Sequence, residues 1–191
     1  MAYFLGVETA TKVCSVALFE DGNLIQSREE RGDYSHAENL ALFVEAVLQQ
    51  AAIESSQLAA VIVSKGPGSY TGLRIGVSYA KGLCYALNIP LIAIDTLQAM
   101  AWGAQKRLSD EEGLLCPMID ARRMEVYSAI YDMQLQQQRK IAADIIEEDS
   151  YSDYLSHQKV FFFGDGSEKC AEVLSSENAK FMKDLFPSAS F

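Results

Sequence analysis

The feature of this sequence that most constrains its fold is a strand-and-turn pattern that occurs twice, 112 residues apart. In the first copy an apolar run ends at Glu8, a short turn follows, and residues 13–19 have the alternation of a strand. In the second copy a similar run ends at Asp120, before a turn and an apolar segment at 126–131. An internal repeat indicates copies of one structural unit. The pattern therefore predicts two related halves, each opening with a β-hairpin whose first strand ends in an acidic residue.

The first half continues as an α/β unit. An Asp21-Gly22 turn leads into a third strand, which predicts an antiparallel meander. A capping box at Ser35 then starts the first helix. The remaining predicted elements are a strand at 58–64, a helix at 70–87, a strand at 90–95 and a helix at 96–107. The order βββαβαβα is that of a ribonuclease H-like unit.

The second half restarts this order in a shorter form. Its predicted elements are strands at 114–120, 126–131, 134–146 and 160–163 and a helix at 168–174. Two such units form the plan of the actin, sugar-kinase and heat-shock chaperone superfamily. We therefore predict an α/β fold with two ribonuclease H-like subdomains, an N-terminal one at 1–108 and a smaller C-terminal one at 109–191.

Composition excludes several classes of function. The net charge is −10, with 16 basic and 26 acidic residues, whereas nucleic-acid binding relies on Lys and Arg. We therefore expect nucleic acid to be contacted only through another protein. Four separated cysteines and two histidines predict no metal site. The longest apolar run, at 58–63, is too short for a membrane span, and the N-terminus lacks signal-peptide features, so a cytoplasmic location is expected.

Two acidic turns and a glycine-rich turn are the candidate phosphate-binding site. In a fold of this plan the two hairpin turns grip nucleotide phosphates, and glycines let backbone N–H groups approach them. Neither hairpin turn contains a glycine. The alternative is that both acids accept hydrogen bonds from turn amides and fix the hairpins. The residues of this possible vestigial nucleotide or phosphate site are Glu8, Thr9, Thr11, Asp120, Arg122, Gly66, Gly68 and Ser69.

The glycine-rich turn also has two interpretations. It opens a helix, whose free N–H groups and dipole favour an anion. However, Gly72, Gly76 and Ala80 follow at intervals of four, and small residues at this spacing leave grooves that allow close helix approach.

The first two helices carry more apolar residues than contact with one sheet requires. Excess apolar surface on neighbouring helices is typical of a protein-binding patch. The alternative is that the extra face packs on the neighbouring helix of the same chain. The expected interface residues are Leu42, Phe43, Ala46, Leu73, Gly76, Val77, Tyr79 and Ala80.

Four segments together resemble one known family. They are residues 5–11 with 14–18, the glycine-rich block at 66–76, residues 119–122 with 125–127, and, more weakly, 163–166. In these segments the sequence resembles the TsaB (YeaZ) family. The resemblance implies a non-catalytic subunit that pairs with a TsaD-type enzyme, which transfers threonylcarbamoyl to N6 of the tRNA adenosine next to the anticodon. It also implies a TsaE-type ATPase as a further partner, a homodimer when the chain is alone, and only indirect contact with tRNA.

Departures from the catalytic relatives support this expectation. Thr96 and Met100 stand where TsaD-type proteins carry metal-binding histidines. A thioether and a lone hydroxyl suit a hard catalytic metal poorly, so we expect no catalytic residue, metal or cofactor. Glu8 stands where related sequences commonly carry Asp. The family pattern also implies a further C-terminal segment. The alternative function is an autonomous nucleotide-binding phosphotransferase or ATPase of the same superfamily, which requires working phosphate turns.

Overall fold

The computed structural model describes residues 1–32 and 36–191, which divide into two compact units. Unit 1 comprises Met1–Thr96 with Pro187–Phe191, and unit 2 comprises Leu97–Phe186. The predicted boundary at 108 differs from this division, in which the helix that follows Thr96 belongs with unit 2. The last five residues return to unit 1, where the Ala189 amide donates a 2.8 Å hydrogen bond to Ser15 Oγ.

Unit 1 is built on a five-stranded mixed sheet with the order β3-β2-β1-β4-β5. Strands β1 to β3 form an antiparallel meander, and β4 and β5 are parallel to β1. The strands are β1 (Tyr3–Glu8), β2 (Val13–Glu20), β3 (Asn23–Arg31), β4 (Leu58–Ser64) and β5 (Leu91–Ile94), and the helices are α1 (His36–Gln50) and α2 (Tyr70–Leu87).

Unit 2 repeats this sheet with the order β10-β9-β6-β7-β8 and the same pairing directions. The predicted ribonuclease H-like fold is therefore confirmed for both halves. The strands are β6 (Leu114–Asp120), β7 (Glu125–Asp132), β8 (Gln137–Ile145), β9 (Val160–Phe163) and β10 (Ala179–Phe181), and the helices are α3 (Thr96–Arg107) and α4 (Ser152–Leu155).

The two hairpins differ by one residue in register. In unit 1, Val7 pairs with Val16. The equivalent residue in unit 2, Ile119, pairs with Tyr127 rather than with Ser128. The second hairpin turn is therefore tighter.

The helices predicted at 70–87 and 96–107 are present, and so is α1, but the helix predicted for the second half is reduced. The helix predicted at 168–174 is a single 3₁₀ turn at Glu168–Cys170. Neither α4 nor β10 was predicted, because four and three residues are too short to show a periodic pattern. The Ser35 capping box lies outside the described residues.

The core of unit 1 lies between its sheet and the two helices. One face of β1 and β2 supplies Leu5, Val7, Val16 and Leu18, and α1 packs against it through a buried apolar stripe. Burying each such side chain contributes roughly 1.5–3 kcal/mol. Among the described residues, no helix has the length and apolar character needed to cross a membrane.

Candidate functional site

The first hairpin turn is organised around a buried acid. Glu8 is 2% exposed; its Oε1 accepts a 2.5 Å hydrogen bond from the Ala10 amide, and its Oε2 accepts one from Ser64 Oγ. Burial raises the pKa of Glu8 above its ordinary value of 4.5, while the hydrogen bonds from Ser64 and the turn amides act in the opposite direction. These contacts match the alternative in which the acid fixes the turn.

Two threonines complete this turn. Thr9 Oγ1 donates to the Gly72 carbonyl at 2.8 Å, across to the first turn of α2. Thr11 Oγ1 accepts from the Val13 amide at 3.3 Å. Both threonine side chains are buried and occupied by hydrogen bonds within unit 1.

The glycine-rich segment brings α2 directly onto the backbone of the first hairpin turn. A Cβ on Gly68 would lie 2.4 Å from the Ala10 carbonyl oxygen, one on Gly72 2.1 Å from the Thr9 carbonyl oxygen, and one on Gly76 2.3 Å from Thr9 Oγ1. Real Cβ atoms do not approach other atoms this closely, so only glycine permits this packing.

The start of α2 is capped by its own chain. Ser69 donates its amide to the Ala10 carbonyl at 2.6 Å, and Ser69 Oγ accepts from the Gly72 amide at 3.2 Å. Gly66 accepts from the Thr96 amide at 2.9 Å. The N–H groups of Ser69 and Gly72, which an anion would need, are therefore already bonded, and the contacts favour close packing over anion binding.

The remaining predicted phosphate-site residues lie in unit 2, at the second hairpin turn. Asp120 is exposed, and its Oδ1 accepts from the Arg122 amide at 3.2 Å and from the Lys169 ammonium. The Asp120 amide donates to Asp165 Oδ1 at 3.1 Å. Burial raises the pKa of Asp165. Sequence reasoning missed Lys169 and Asp165, although the Gly-Asp-Gly turn that carries Asp165 was already visible as a motif.

The surface of α1 and α2 contains only part of the expected interface. Leu42 is 58% exposed, and Tyr70 and Tyr85 on α2 are 69% and 91% exposed. Arg74 of α2 lies over the Tyr70 ring, 4.0 Å from its centroid. The half-buried members are Ala46, Leu73, Val77 and Tyr79.

Three of the expected interface residues are buried inside unit 1, and for these the expectation is corrected. Phe43 is 3% exposed and packs in the core, with the Arg28 guanidinium 4.9 Å from its ring centroid. Gly76 and Ala80 lie on the buried small-residue stripe of α2. The second apolar stripe of α1 is thus partly consumed by contacts within the unit, as the alternative interpretation had it.

The two positions that depart from the catalytic relatives are both fully buried. Met100 packs against Gly164, where an added Cβ would lie 2.7 Å from Met100 Cε. Thr96 donates its amide to the Gly66 carbonyl. Within residues 1–32 and 36–191, no group of three or more His, Cys, Asp or Glu side chains is placed to hold a metal ion.

Known proteins are similar to this chain in sequence and in fold. A family model described as "TsaD: tRNA N6-adenosine threonylcarbamoyltransferase" matches residues 30–184. The "tRNA threonylcarbamoyladenosine biosynthesis protein TsaB" of Escherichia coli (strain K12) is 36% identical over 127 residues, and that of Bacillus subtilis (strain 168) is 35% identical over 127. Each alignment covers 66% of this chain and 54% of the relative. The chain spans about half the length of these curated relatives.

A solved structure matches the whole chain. It is that of an uncharacterized protein with similarity to peptidase YeaZ from Pseudomonas aeruginosa, with a TM-score of 0.82 and 27% sequence identity. The match covers 100% of this chain and 88% of the solved one.

Proposed function

The chain belongs to the TsaB (YeaZ) family, and from that premise we propose that it is a non-catalytic subunit that pairs with a TsaD-type enzyme. In this proposal the enzyme transfers threonylcarbamoyl to N6 of the tRNA adenosine next to the anticodon, in the cytoplasm. The names of the relatives support a role in this tRNA modification. They are a tRNA threonylcarbamoyladenosine biosynthesis protein and a threonylcarbamoyltransferase family.

The observation that carries the proposal is the α1–α2 surface, defined by exposed Leu42, Tyr70 and Tyr85 and half-buried Ala46, Leu73, Val77 and Tyr79. Large apolar and aromatic side chains exposed on neighbouring helices favour association with another protein. Tyrosine is enriched among the residues that dominate binding energy. The small buried stripe of α2 allows that helix to pack directly on the first hairpin turn.

Two further observations support the absence of catalysis. Met100 fills space in the core of unit 2 and is not available as a ligand. The first hairpin turn, which an autonomous phosphotransferase or ATPase would need for phosphate, is already bonded to Ser64, Ser69 and Gly72. The alternative function therefore has weaker support than a partner subunit.

The proposal extends to other partners. A TsaE-type ATPase would join the pair, and the α1–α2 surface would also serve a homodimer when the enzyme is absent. The net charge of −10 favours an arrangement in which the enzyme holds the tRNA.

Substitution of an exposed interface residue tests the pairing. Leu42→Asp is expected to weaken binding to the TsaD-type enzyme of the same source by more than about tenfold, because a charge would enter the apolar contact and dominant interface residues contribute about 2 kcal/mol or more. Size-exclusion chromatography detects the complex, and calorimetry gives its Kd.

The matched control is Ile145→Asp, which places the same charge on a residue of β8 in unit 2 that is 70% exposed. This variant should bind as the parent chain does. Phe43→Asp is unsuitable, because a buried charge would unfold unit 1. Unchanged binding of Leu42→Asp would exclude the α1–α2 surface as the interface, and no complex with the parent chain would exclude the pairing.

A further inference from the structure

The second hairpin turn encloses a positive charge supplied by the chain itself. The Lys169 ammonium donates to the Arg123 carbonyl at 2.7 Å, to the Glu125 carbonyl at 2.6 Å, and to Asp120 Oδ1. An ammonium has three N–H donors, and all three are matched here by oxygen acceptors. Only 24% of the Lys169 side chain is exposed, so this is not a loose surface ion pair.

The acceptor set has the chemistry of a cation site. One carboxylate oxygen and two backbone carbonyls are the hard oxygen ligands that bind Ca²⁺, Mg²⁺ and similar ions in proteins. Lys169 belongs to the 3₁₀ turn that also contains buried Cys170, whose thiol donates to the Gly166 carbonyl. The ammonium is therefore held from an ordered part of unit 2.

The backbone of the turn adopts a conformation that needs support. Arg122 and Arg123 have φ values of 71° and 48°, in the left-handed region that residues with side chains seldom occupy. The Ala121 amide bonds the Glu125 carbonyl, and the Glu125 amide bonds the Arg122 carbonyl. The turn thus directs two carbonyls at the ammonium and uses these two amides internally, whereas a phosphate needs amides that point outward.

We propose that the turn at 120–125 is a cation site whose resident cation is the Lys169 ammonium, which holds the turn in a form closed to phosphate. The one-residue shift in hairpin register supports this assignment, because it produces the tight turn in which both carbonyls reach the ammonium. The inference does not depend on the proposed function, since it concerns unit 2 alone.

Trypsin provides a direct test, because Arg122 and Arg123 are both cleavage sites and both are exposed. Lys169→Met keeps the apolar stem and removes the charge. In the intact chain, cleavage at these two arginines is expected to become at least tenfold faster, since an unheld turn opens more often. The control is Lys159→Met, which removes an exposed ion pair with Glu111 in the same unit and should leave this cleavage rate unchanged.

A second variant and a comparison of two salts complete the test. Asp120→Asn retains an oxygen acceptor on a half-exposed side chain, so it should accelerate cleavage, but less than Lys169→Met does. It remains a test of the lock if Lys169→Met unfolds the protein. In Lys169→Ala, which vacates the site, KCl should slow cleavage more than tetramethylammonium chloride at the same ionic strength. Unchanged cleavage in Lys169→Met or in Asp120→Asn would overturn the locking role, and equal effects of the two salts would overturn the cation site.

Discussion

Gly72 and Gly76 show how the absence of a side chain at two positions allows a whole helix to be placed. Their α-carbons face Thr9, so the helix can approach the hairpin turn closely enough for Thr9 Oγ1 to donate to the Gly72 carbonyl. The sequence predicted a packing role for these glycines from their spacing. It did not identify the element packed against them, because a spacing of four residues describes a helix face and carries no information about its neighbour.

Replacing one of these glycines should reverse the usual effect of adding a methyl group to a helix. Alanine in place of glycine normally stabilises a helix by about 1 kcal/mol. In Gly72→Ala the new Cβ would lie 2.1 Å from a backbone oxygen, and overpacking of this kind costs roughly 1–3 kcal/mol. Urea unfolding should therefore show a less stable protein.

Gly82→Ala is the matched control on the same helix, because a Cβ there meets nothing within 4 Å. This variant should be more stable than the parent chain, by up to about 1 kcal/mol. If Gly72→Ala were stabilised equally, the close contact between α2 and the first hairpin turn would be refuted.

Glu8 is expected to make unit 1 less stable as pH rises. Because burial raises the pKa of Glu8 in the folded state, the folded protein retains a proton that the unfolded chain loses near its ordinary pKa of 4.5. The stabilisation is complete below that value and declines as pH rises to the higher folded-state pKa. Glu8→Gln removes this titration, so chemical unfolding at a series of pH values should show its stability relative to the parent increasing from pH 4 to pH 8. A constant difference would contradict the buried-acid interpretation.

At the scale of secondary-structure elements, periodicity predicted α1, α2 and α3 but did not separate the inner from the outer residues of α1. Leu42 and Phe43 are adjacent apolar residues, and either could face the sheet in a helix with two apolar stripes. In the structure Phe43 is buried and Leu42 is exposed. Tertiary packing, which one sequence does not contain, decided between them.

A partly buried polar network joins β7, β8 and the residue before α4 in unit 2. Asp144 of β8 accepts hydrogen bonds from Ser128 Oγ of β7 at 2.5 Å, from Arg139 Nη1 at 2.8 Å and from the Tyr151 hydroxyl at 3.2 Å. Burial acts to raise the pKa of Asp144, but the hydrogen bonds and the Arg139 charge hold it below its ordinary value. The network ties the edge strand β8 to the segment that precedes α4.

Removing the charge of Asp144 should destabilise unit 2 in a pH-dependent way. Asp144→Asn is expected to cost about 2 kcal/mol at neutral pH, somewhat less than the roughly 3–5 kcal/mol of a fully buried pair, because water reaches part of both side chains. Since the folded-state pKa of Asp144 is lowered, its stabilisation is present above the ordinary value of 3.8 and is lost as pH falls through the folded value. Unfolding curves at pH 7 and at strongly acidic pH measure both effects.

Asp153→Asn changes an exposed acid in α4 of the same unit and provides the control. It should alter stability by less than about 0.5 kcal/mol. An equal loss in both variants would show that the network contributes no specific stabilisation.

At the scale of the whole molecule, the repeat predicted the architecture well because it constrained both sheets at once. The strands β7 and β2 begin and end 112 residues apart, as the repeat requires. The division between units was predicted less well, because α3 completes the first half in sequence but joins unit 2 in space. The return of residues 187–191 to unit 1 is a long-range contact that no local sequence pattern predicts.

The predicted phosphate site was also only partly recoverable from sequence. Its residues in unit 1 pack against α2 or lie at its start, and in unit 2 Asp120 accepts a hydrogen bond from Lys169. Sequence identified the residue types that a phosphate site of this fold would use. It did not reveal that hydrogen bonds within each unit already occupy those groups, because several of the partners, such as Gly72 for Thr9 and Asp165 for Asp120, are 63 and 45 residues away in the chain.

The most direct test of the central claim is reconstituted modification of tRNA. The TsaD-type enzyme of the same source is supplied with tRNA and threonylcarbamoyl-adenylate, with and without this chain, and the rate of threonylcarbamoyladenosine formation is measured. We predict that the chain alone forms no product and that it raises the rate of the enzyme until about one chain is present per enzyme. Modification by the chain alone, or an enzyme rate that does not respond to it, would contradict the account.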